Sequence, residues 1–529
     1  MQVFNFNRGD LNLFNKQHIN LVYKQDVYTP YINHEFSIRN FERQQLEKRK
    51  NYSAVTRSVL VKSLEKSYSI IEDKGLTSKN IELLKRDNTL TVTTGHQLSL
   101  FTGPLFFVIK IIHVIKLAER LNQEDQEMNV VPVFWMATED HDFEEIQSVN
   151  LFGKQVTWES DQKGPVGRFD LEGFDAVKKE IIDFFGNHAE AQIHRLMNVY
   201  DGANLAEATF KLVHELFKGY GLVIIDGDKT ELKSLFVPTM KKELEEQFAF
   251  EAVSKTNKAL EKDGGKIQVF AREINLFYIE KGIRQRIEKI DKGYKVDGVG
   301  EFSKEEMLAK LNEHPEAFSP NVILRPLYQE TILPNLAYVG GGGEISYWLQ
   351  LKRVFDAVDV VYPLIGVRNS VMWIEENISK KIAKIDLQLE DLFKKTDLIK
   401  REFIEQNESE DLNFESMEAM SIELGKQIED AILLVEPNMS GYAKAEIAKL
   451  EKQLTGVKSK LIKLSKSKHE RSMKIIEQVR EKLFPNDGLQ ERTTNIISFS
   501  PEGNISERID TLYRAIDPEE KDFIVLREF

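Results

Sequence analysis

The sequence predicts an α/β protein: an open, mainly parallel sheet with a long helical arm. Three observations carry that prediction. Short apolar runs alternate with long helical patterns between residues 89 and 367, an alternation that requires crossover connections and parallel pairing. Two of the units share one plan, strand, then polar or glycine-rich loop, then helix, at 89–120 and again at 335–355. Beyond residue 375, apolar residues recur four and three apart, the signature of coiled-coil helices.

With 529 residues the chain is too long for one core, and two or three domains are expected. Its 72 Lys and Arg against 85 Asp and Glu leave a net charge of −13, which argues against a broad nucleic-acid footprint. The absence of cysteine rules out a disulfide, a thiol nucleophile and a cysteine metal site, and fits a reducing, cytoplasmic setting. The start MQVFNFNRGD lacks a basic segment followed by an apolar run, so no signal peptide is expected. Lys110, His113 and Lys116 interrupt the most apolar helix, so no membrane span is expected either.

Residues 1–88 read as mainly helical after an irregular start, with charge runs such as Glu47-Lys48-Arg49-Lys50 on solvated faces. The unit that organises the chain follows, as TLTVTTGHQLSLFTGPLFFVIKIIHVIKLAER over 89–120. Its β-branched start predicts a strand. Thr94, Gly95, His96 and Gln97 form a polar turn, and Thr102-Gly103-Pro104 leads into a helix apolar nearly all round. Proline suits a first helical position, and bare amides at Gly103 to Leu105 suit an anion. An ordinary β–α turn would look the same.

The strand at 130–136 runs into Glu139, Asp140, His141 and Asp142, a cluster able to hold a proton donor, a metal or a substrate ammonium. As a metal signal it is weak. Side chains of adjacent residues point different ways, and no second histidine stands at ligand spacing, so no metal is implied. Acids at a helix start give the same pattern for dipole reasons. Hairpin-like strands are expected over 149–169, helices over 171–220, a buried strand over 222–226 and an insertion of short strands over 264–300.

The second unit places four glycines at 340–343, where unusual backbone angles and close ligand approach are expected around Gly341, Gly342 and Glu344. A strand ending at 367 presents Arg368 and Asn369. Arg368 suits a carboxylate or phosphate, or a structural acid. In the arm, heptads run from Ile378 to Phe403 and from Ile447 to Leu464, with a shorter helix from Met417 to Val435 between them. The KLSKS segment at 463–467 is similar to the Lys-Met-Ser-Lys-Ser loop of class I aminoacyl-tRNA synthetases, yet Leu464 falls at a heptad core position, and a solvated helix face is expected. After 484 a short strand near 496–499 is expected, with the tail returning to the core.

TGHQLSLFTGPLFFVIK, VPVFWMATEDHDFEEI, GGGGEISYWLQLK and LFPNDGLQER, in that order around a coiled-coil arm, resemble the bacillithiol synthase family along essentially the whole chain. The resemblance implies a Rossmann-like core akin to nucleotidylyltransferases and class I synthetases, over 1–374, with connecting-peptide insertions at about 149–220 and 250–320. It also implies an arm over 375–484, a returning segment over 485–529, and dimers formed through the arm. The implied reaction joins the carboxyl of cysteine to the amine of glucosaminyl malate, with ATP as the simplest activator. Many relatives carry glutamine where this chain has His96. On this reading Asp140 and Asp142 orient an ammonium, His141 takes a proton, and His96 and Gln97 face the acyl oxygen or phosphates. Two other readings of the same residues are a metal-dependent hydrolase built on Asp140, His141 and Asp142, and a coiled-coil scaffold with a degenerate core.

Overall fold

Five strands pair in parallel, in the order Leu364–Val367, Asn335–Gly340, Thr89–His96, Asn129–Met136 and Val223–Asp226. They are the five that apolar and β-branched runs predict. In chain order the sheet runs fifth, fourth, first, second, third, so the winding reverses between Thr89–His96 and Asn335–Gly340. Sheets of this kind take ligands beyond the carboxyl ends of the strands at that reversal, here at His96 and Gly340. Both faces are covered. Leu90 and Val92 pack with Val114, Leu117, Leu336 and Leu364, while the Thr91 and Thr93 hydroxyls donate to Asn335 Oδ1 at 3.1 and 2.8 Å.

The computed structural model describes residues 1–125, 127–186, 191–407 and 414–529, without the side chains of 462 and 465–468. The chain divides into two compact units, Gln2–Trp373 with Leu489–Leu526, and Ile374–Gly488 with Met1 and Arg527–Phe529. Among the described residues no helix is long and apolar enough to cross a membrane.

In the larger unit the apolar helix spans Phe106–Glu124, two residues later than Pro104 predicts. The delay comes from a tight turn in which Phe101, Thr102 and Gly103 take φ of 47°, 72° and 61°. A Cβ at Gly103 would lie 2.6 Å from that of Ser99, so glycine is required there twice over. Asn495 holds the turn, donating from Nδ2 to the carbonyls of Phe101 and Gly103. Its Oδ1 accepts from Ile497 N and winds Ile496–Phe499 into a 3-10 turn, in place of the expected strand.

The glycine run also departs from expectation. None of Gly340 to Gly343 has a positive φ. What glycine supplies there is space, since a Cβ on Gly342 would lie 2.0 Å from His18 Nδ1. The helix expected over 344–355 is two, Gly342–Trp348 and Lys352–Asp356. Inserted between strands of the parallel sheet are the hairpin Ser148–Leu151 with Lys154–Thr157 and a five-stranded antiparallel sheet. That sheet runs Gly300–Phe302, Gly293–Val296, Ile283–Ile290, Leu276–Glu280, Phe318–Pro320.

In the smaller unit the heptads from Ile378 to Phe403 do not make one helix. Helix Glu376–Lys384 stops before Asp386, which takes a φ of 50°, and helix Thr396–Asn407 follows a 3-10 turn. Ile385, Ile399 and Phe403 cluster with Ile476, so the periodicity serves a fold-back. Helices Phe414–Val435 and Ser440–Lys468 lie antiparallel, with Lys458 Nζ 2.6 Å from Glu418 Oε1. Leu464, a heptad core position by spacing, is 58% exposed. Ser465, Lys466 and Ser467 have helical backbone, and the solvated face expected of their side chains lies outside the described residues.

Two neighbouring substitutions separate close packing from backbone freedom. A Cβ at Gly343 would meet nothing within 4 Å, so Gly343→Ala should hold or raise stability by up to about 1 kcal/mol. Gly342→Ala should lower it by about 1–3 kcal/mol through the clash with His18. Urea unfolding of the full chain measures both, and equal midpoints would remove the close-approach argument.

Candidate functional site

Strands Thr89–His96 and Asn129–Met136 are neighbours in register, with His96 opposite Met136. The loops that leave them therefore emerge side by side. Between them lies a cavity of about 800 Å³, lined on one side by Gly95, His96 and Gln97 and on the other by Asp140, His141 and Asp142. Gln97 Nε2 joins the two loops, donating to Asp140 Oδ2 and Glu145 Oε2 at 2.8 Å each.

Lys110, Glu344 and Tyr338 line another part of the cavity. Lys110 Nζ reaches Glu344 Oε2 at 2.8 Å and the Gly95 carbonyl at 2.5 Å, and the Tyr338 hydroxyl donates to the other Glu344 oxygen. Burial pushes the Lys110 ammonium down while Glu344 opposes the push. Burial likewise pushes the Glu344 carboxyl up, and Lys110 and Tyr338 overcome it, so Glu344 stays below the usual carboxylate range. Glu344 Oε2 also accepts from Gly341 N at 3.1 Å. A carboxylate of the protein thus sits where the glycine loop would offer an amide to an anion.

The acidic edge is more ordered than adjacency in sequence suggests. One donor atom each from Asp140, His141 and Asp142 lies within 4.8 Å of the others, against the expectation that the three side chains diverge. Arg284 Nη1 lies 2.9 Å from His141 Nδ1. A guanidinium can only donate, so Nδ1 accepts and its lone pair is engaged. That set offers a cation two carboxylates and an imidazole whose Nδ1 is already bonded. Burial pushes the Asp140 carboxyl up, but bonds from His141 and Gln97 hold it well below the usual range. Behind this edge Lys233 Nζ bridges Glu139 at 2.6 Å and Asp228 at 3.0 Å, and Arg168 grips Asp228 with two bonds of 2.7 and 2.8 Å.

Of the residues singled out in the sequence, Gly95, His96, Gln97, Asp140, His141, Asp142 and Glu344 share the cavity. The rest do not line it. Thr94 Oγ1 donates to the Val339 carbonyl at 2.8 Å. Thr102 is buried, Gly103 N bonds the Leu100 carbonyl, and Leu105 N bonds the Thr494 carbonyl, each at 2.8 Å, so the start of the helix after Pro104 has no bare amides there. Gly342 packs on His18. Arg368 forms two bonds with Glu491, of 3.0 and 2.8 Å, the structural alternative raised for it, and Asn369 bonds His113 and the carbonyls of Asp517 and Glu520. Sequence reasoning misses Arg272, Arg284, Arg286 and Arg325, which also line the cavity. The alternating arginines of IRQRIEK are the available signal.

Comparison with known proteins matches both parts of the chain to one family. The family described as "Bacillithiol biosynthesis BshC, N-terminal Rossmann-like domain" matches residues 12–369, and "Bacillithiol biosynthesis BshC, C-terminal coiled-coil domain" matches 371–528. The chain is 40% identical over 511 residues to a Flavobacterium johnsoniae protein, covering 95% of each chain, and 41% identical over 489 residues to one from Flavobacterium psychrophilum, covering 91% of each. A Cytophaga hutchinsonii protein is 39% identical over 475 residues, covering 89% of each. All three are named "Putative cysteine ligase BshC".

Three histidines of the larger unit are held neutral. Burial, reinforced by nearby Arg8, Lys110 or Arg368, lowers His18 to about 3 and His96 and His113 to about 4. Unfolded, each titrates near ~6.5. The unfolded chain therefore binds more protons between those values, and stability is full above the unfolded pKa and falls as pH drops toward the folded one. Each histidine contributes a slope of up to about 1.4 kcal/mol per pH unit in that window. Urea unfolding from about pH 7 to about pH 4.5 should show the fall, and His113→Gln should make it shallower by up to one proton. Parallel curves for the two proteins would mean that His113 is not neutral when folded.

Proposed function

The chain belongs to the BshC family of bacillithiol biosynthesis, and from that membership we propose that it acts as a cysteine ligase, joining the carboxyl of cysteine to the amine of glucosaminyl malate as an amide. The observation that carries the reading is one cavity lined by both acceptors, Asp140 and Asp142, and donors, Arg272 and Arg286. An ammonium needs the first and a carboxylate the second. Asp142 is exposed and its carboxylate accepts no hydrogen bond among the described residues, so it is the acceptor we assign to the incoming amine, with Asp140 beside it. His141 is the group we assign to the amine's proton, once its Nδ1 parts from Arg284. His96 keeps its Nδ1 on the Gln97 carbonyl at 3.0 Å and has little basicity, so it lines the site as a neutral polar group, a part a glutamine also fills.

A free carboxylate acylates an amine only after activation, and ATP is the reagent we propose on that chemical ground. Phosphates have no free amides at Gly103 and Leu105, and Gly341 N is bonded to Glu344, so no step of this chain's residues runs through the nucleotide. A metal-dependent hydrolase built on Asp140, His141 and Asp142 is disfavoured by the Arg284 bond to His141.

We also propose a dimer through the arm. Met420 and Leu424, one turn apart on Phe414–Val435, are 69% and 45% exposed, and residues at that spacing share a helix face.

Two measurements test these readings. Full-length protein incubated with cysteine, glucosaminyl malate and ATP should yield the amide by mass spectrometry, and omission of ATP should abolish it. Asp142→Asn should fold and react more slowly, and His141→Ala should lose about 10²-fold or more; full activity in both would leave the acidic edge a helix-capping feature. Light scattering should give twice the chain mass, falling to one chain when Met420→Lys and Leu424→Lys are combined. An unchanged mass would remove the arm from the interface.

A further inference from the structure

We propose that the inserted antiparallel sheet and the segment leading into it carry a subsite for a dicarboxylate, centred on Arg272 and Arg286, and that it seats the malyl end of the acceptor. This rests on the ligase reading above and adds the orientation of the substrate.

Charge in the cavity sorts by element. The loop at the sheet edge contributes Asp140 and Asp142, while the inserted sheet, the segment leading into it and the helix Arg325–Ile332 contribute Arg272, Arg284, Arg286 and Arg325. The other charges are already matched: Lys110 is paired with Glu344, and Glu139 with Lys233. Two positive charges are left over, the complement of one dicarboxylate.

Strand register explains the clustering. Arg284 and Arg286 are two apart on Ile283–Ile290 and so share a face of the sheet. Arg286 stands opposite Phe277, on whose ring the Arg284 guanidinium stacks at 3.9 Å. Arg284 is further fixed by His141 and Ser319, and Arg325 by Gln329 and Tyr347. Arg272 and Arg286 differ. Among the described residues neither guanidinium has a hydrogen bond or ion pair, and both residues are exposed where they line the cavity.

Guanidinium forks match carboxylates with two parallel bonds, a geometry that gives orientation as well as affinity. Phosphates share that chemistry. The dicarboxylate is favoured because three amides beside the two helix starts, those of Gly103, Leu105 and Gly341, are bonded within the protein. With the carboxylates on Arg272 and Arg286, the sugar amine, on the ring carbon next to the one that carries the malyl group, is directed toward Asp140 and Asp142.

Calorimetry with malate alone, on the full chain, tests the subsite without requiring catalysis. Malate should bind wild type and compete with glucosaminyl malate, and Arg272→Gln with Arg286→Gln should weaken it at least tenfold. Lys295→Gln removes a charge from the same sheet outside the cavity and should leave malate binding unchanged. In amide formation the double variant should raise KM for glucosaminyl malate and not for cysteine, and should leave turnover of glucosamine without the malyl group as it was in wild type. Malate that fails to bind wild type, or binds the double variant equally, overturns the proposal. So does a larger loss of ATP binding than of malate binding, which would assign the arginines to phosphates. Malate binding lost as expected, in a protein that forms no amide, would sink the ligase reading and keep the subsite.

Discussion

Lys110 and Glu344 meet at 2.8 Å across the end of the Thr89–His96 strand, and the rest of the site depends on that contact. Lys110 comes from the helix of the first strand–loop–helix unit, Glu344 from the first turn of the helix of the second, and the Gly95 carbonyl shares the ammonium. The pair therefore ties both sides of the sheet reversal together. Removing Glu344 would leave the buried Lys110 ammonium without its ion pair, at a cost of about 3–5 kcal/mol. The pair also fills the glycine loop from within, since Glu344 takes the amide of Gly341. That amide of the glycine loop is thereby taken from any incoming anion.

The other helix start is closed by different means. The left-handed turn at Phe101 to Gly103 contains two non-glycine residues with positive φ, a conformation that costs free energy and persists where its surroundings over-determine it. Asn495 and the Thr494 carbonyl supply those surroundings. The stretch Leu489–Leu526, distant in sequence, thus belongs to the same compact unit as the turn and sets the conformation of a loop that leads away from the cavity edge.

These two closures mark the boundary of what is legible in the sequence. The five parallel strands can be read because buried strands carry continuous apolar or β-branched runs, a local property. The meeting of the Gln97 loop with the Asp140 loop can be read too, because adjacent parallel strands deliver their loops to one edge. Partners at long range cannot. Nothing near Arg368 announces Glu491, and nothing near Gly103 announces Asn495. The helical spacing from Ile378 to Phe403 suggests continuous coiled-coil helix because periodicity reports which residues are apolar together, not where the backbone turns at Asp386. The glycine run misleads for a related reason. A glycine kept for space looks identical, in sequence, to one kept for a positive φ.

The cavity's chemistry follows from which groups remain free once internal pairing is complete. Lys110, Glu139 and Glu344 are matched, and His96 is neutral and bonded to a carbonyl. With no cysteine in the chain, no thiol is available as a nucleophile, and Lys110, which lines the cavity, spends its ammonium on Glu344 and Gly95. A site whose remaining free groups are the Asp142 carboxylate and the Arg272 and Arg286 guanidiniums is equipped to orient charged reactants. Orientation of this kind lowers a barrier by holding amine and acyl carbon in line before reaction. The bond between Arg284 and His141 then acquires a role beyond structure. It links the arginines to the imidazole on the acidic edge, so the groups we propose for the anion are joined to the group we assign to the proton.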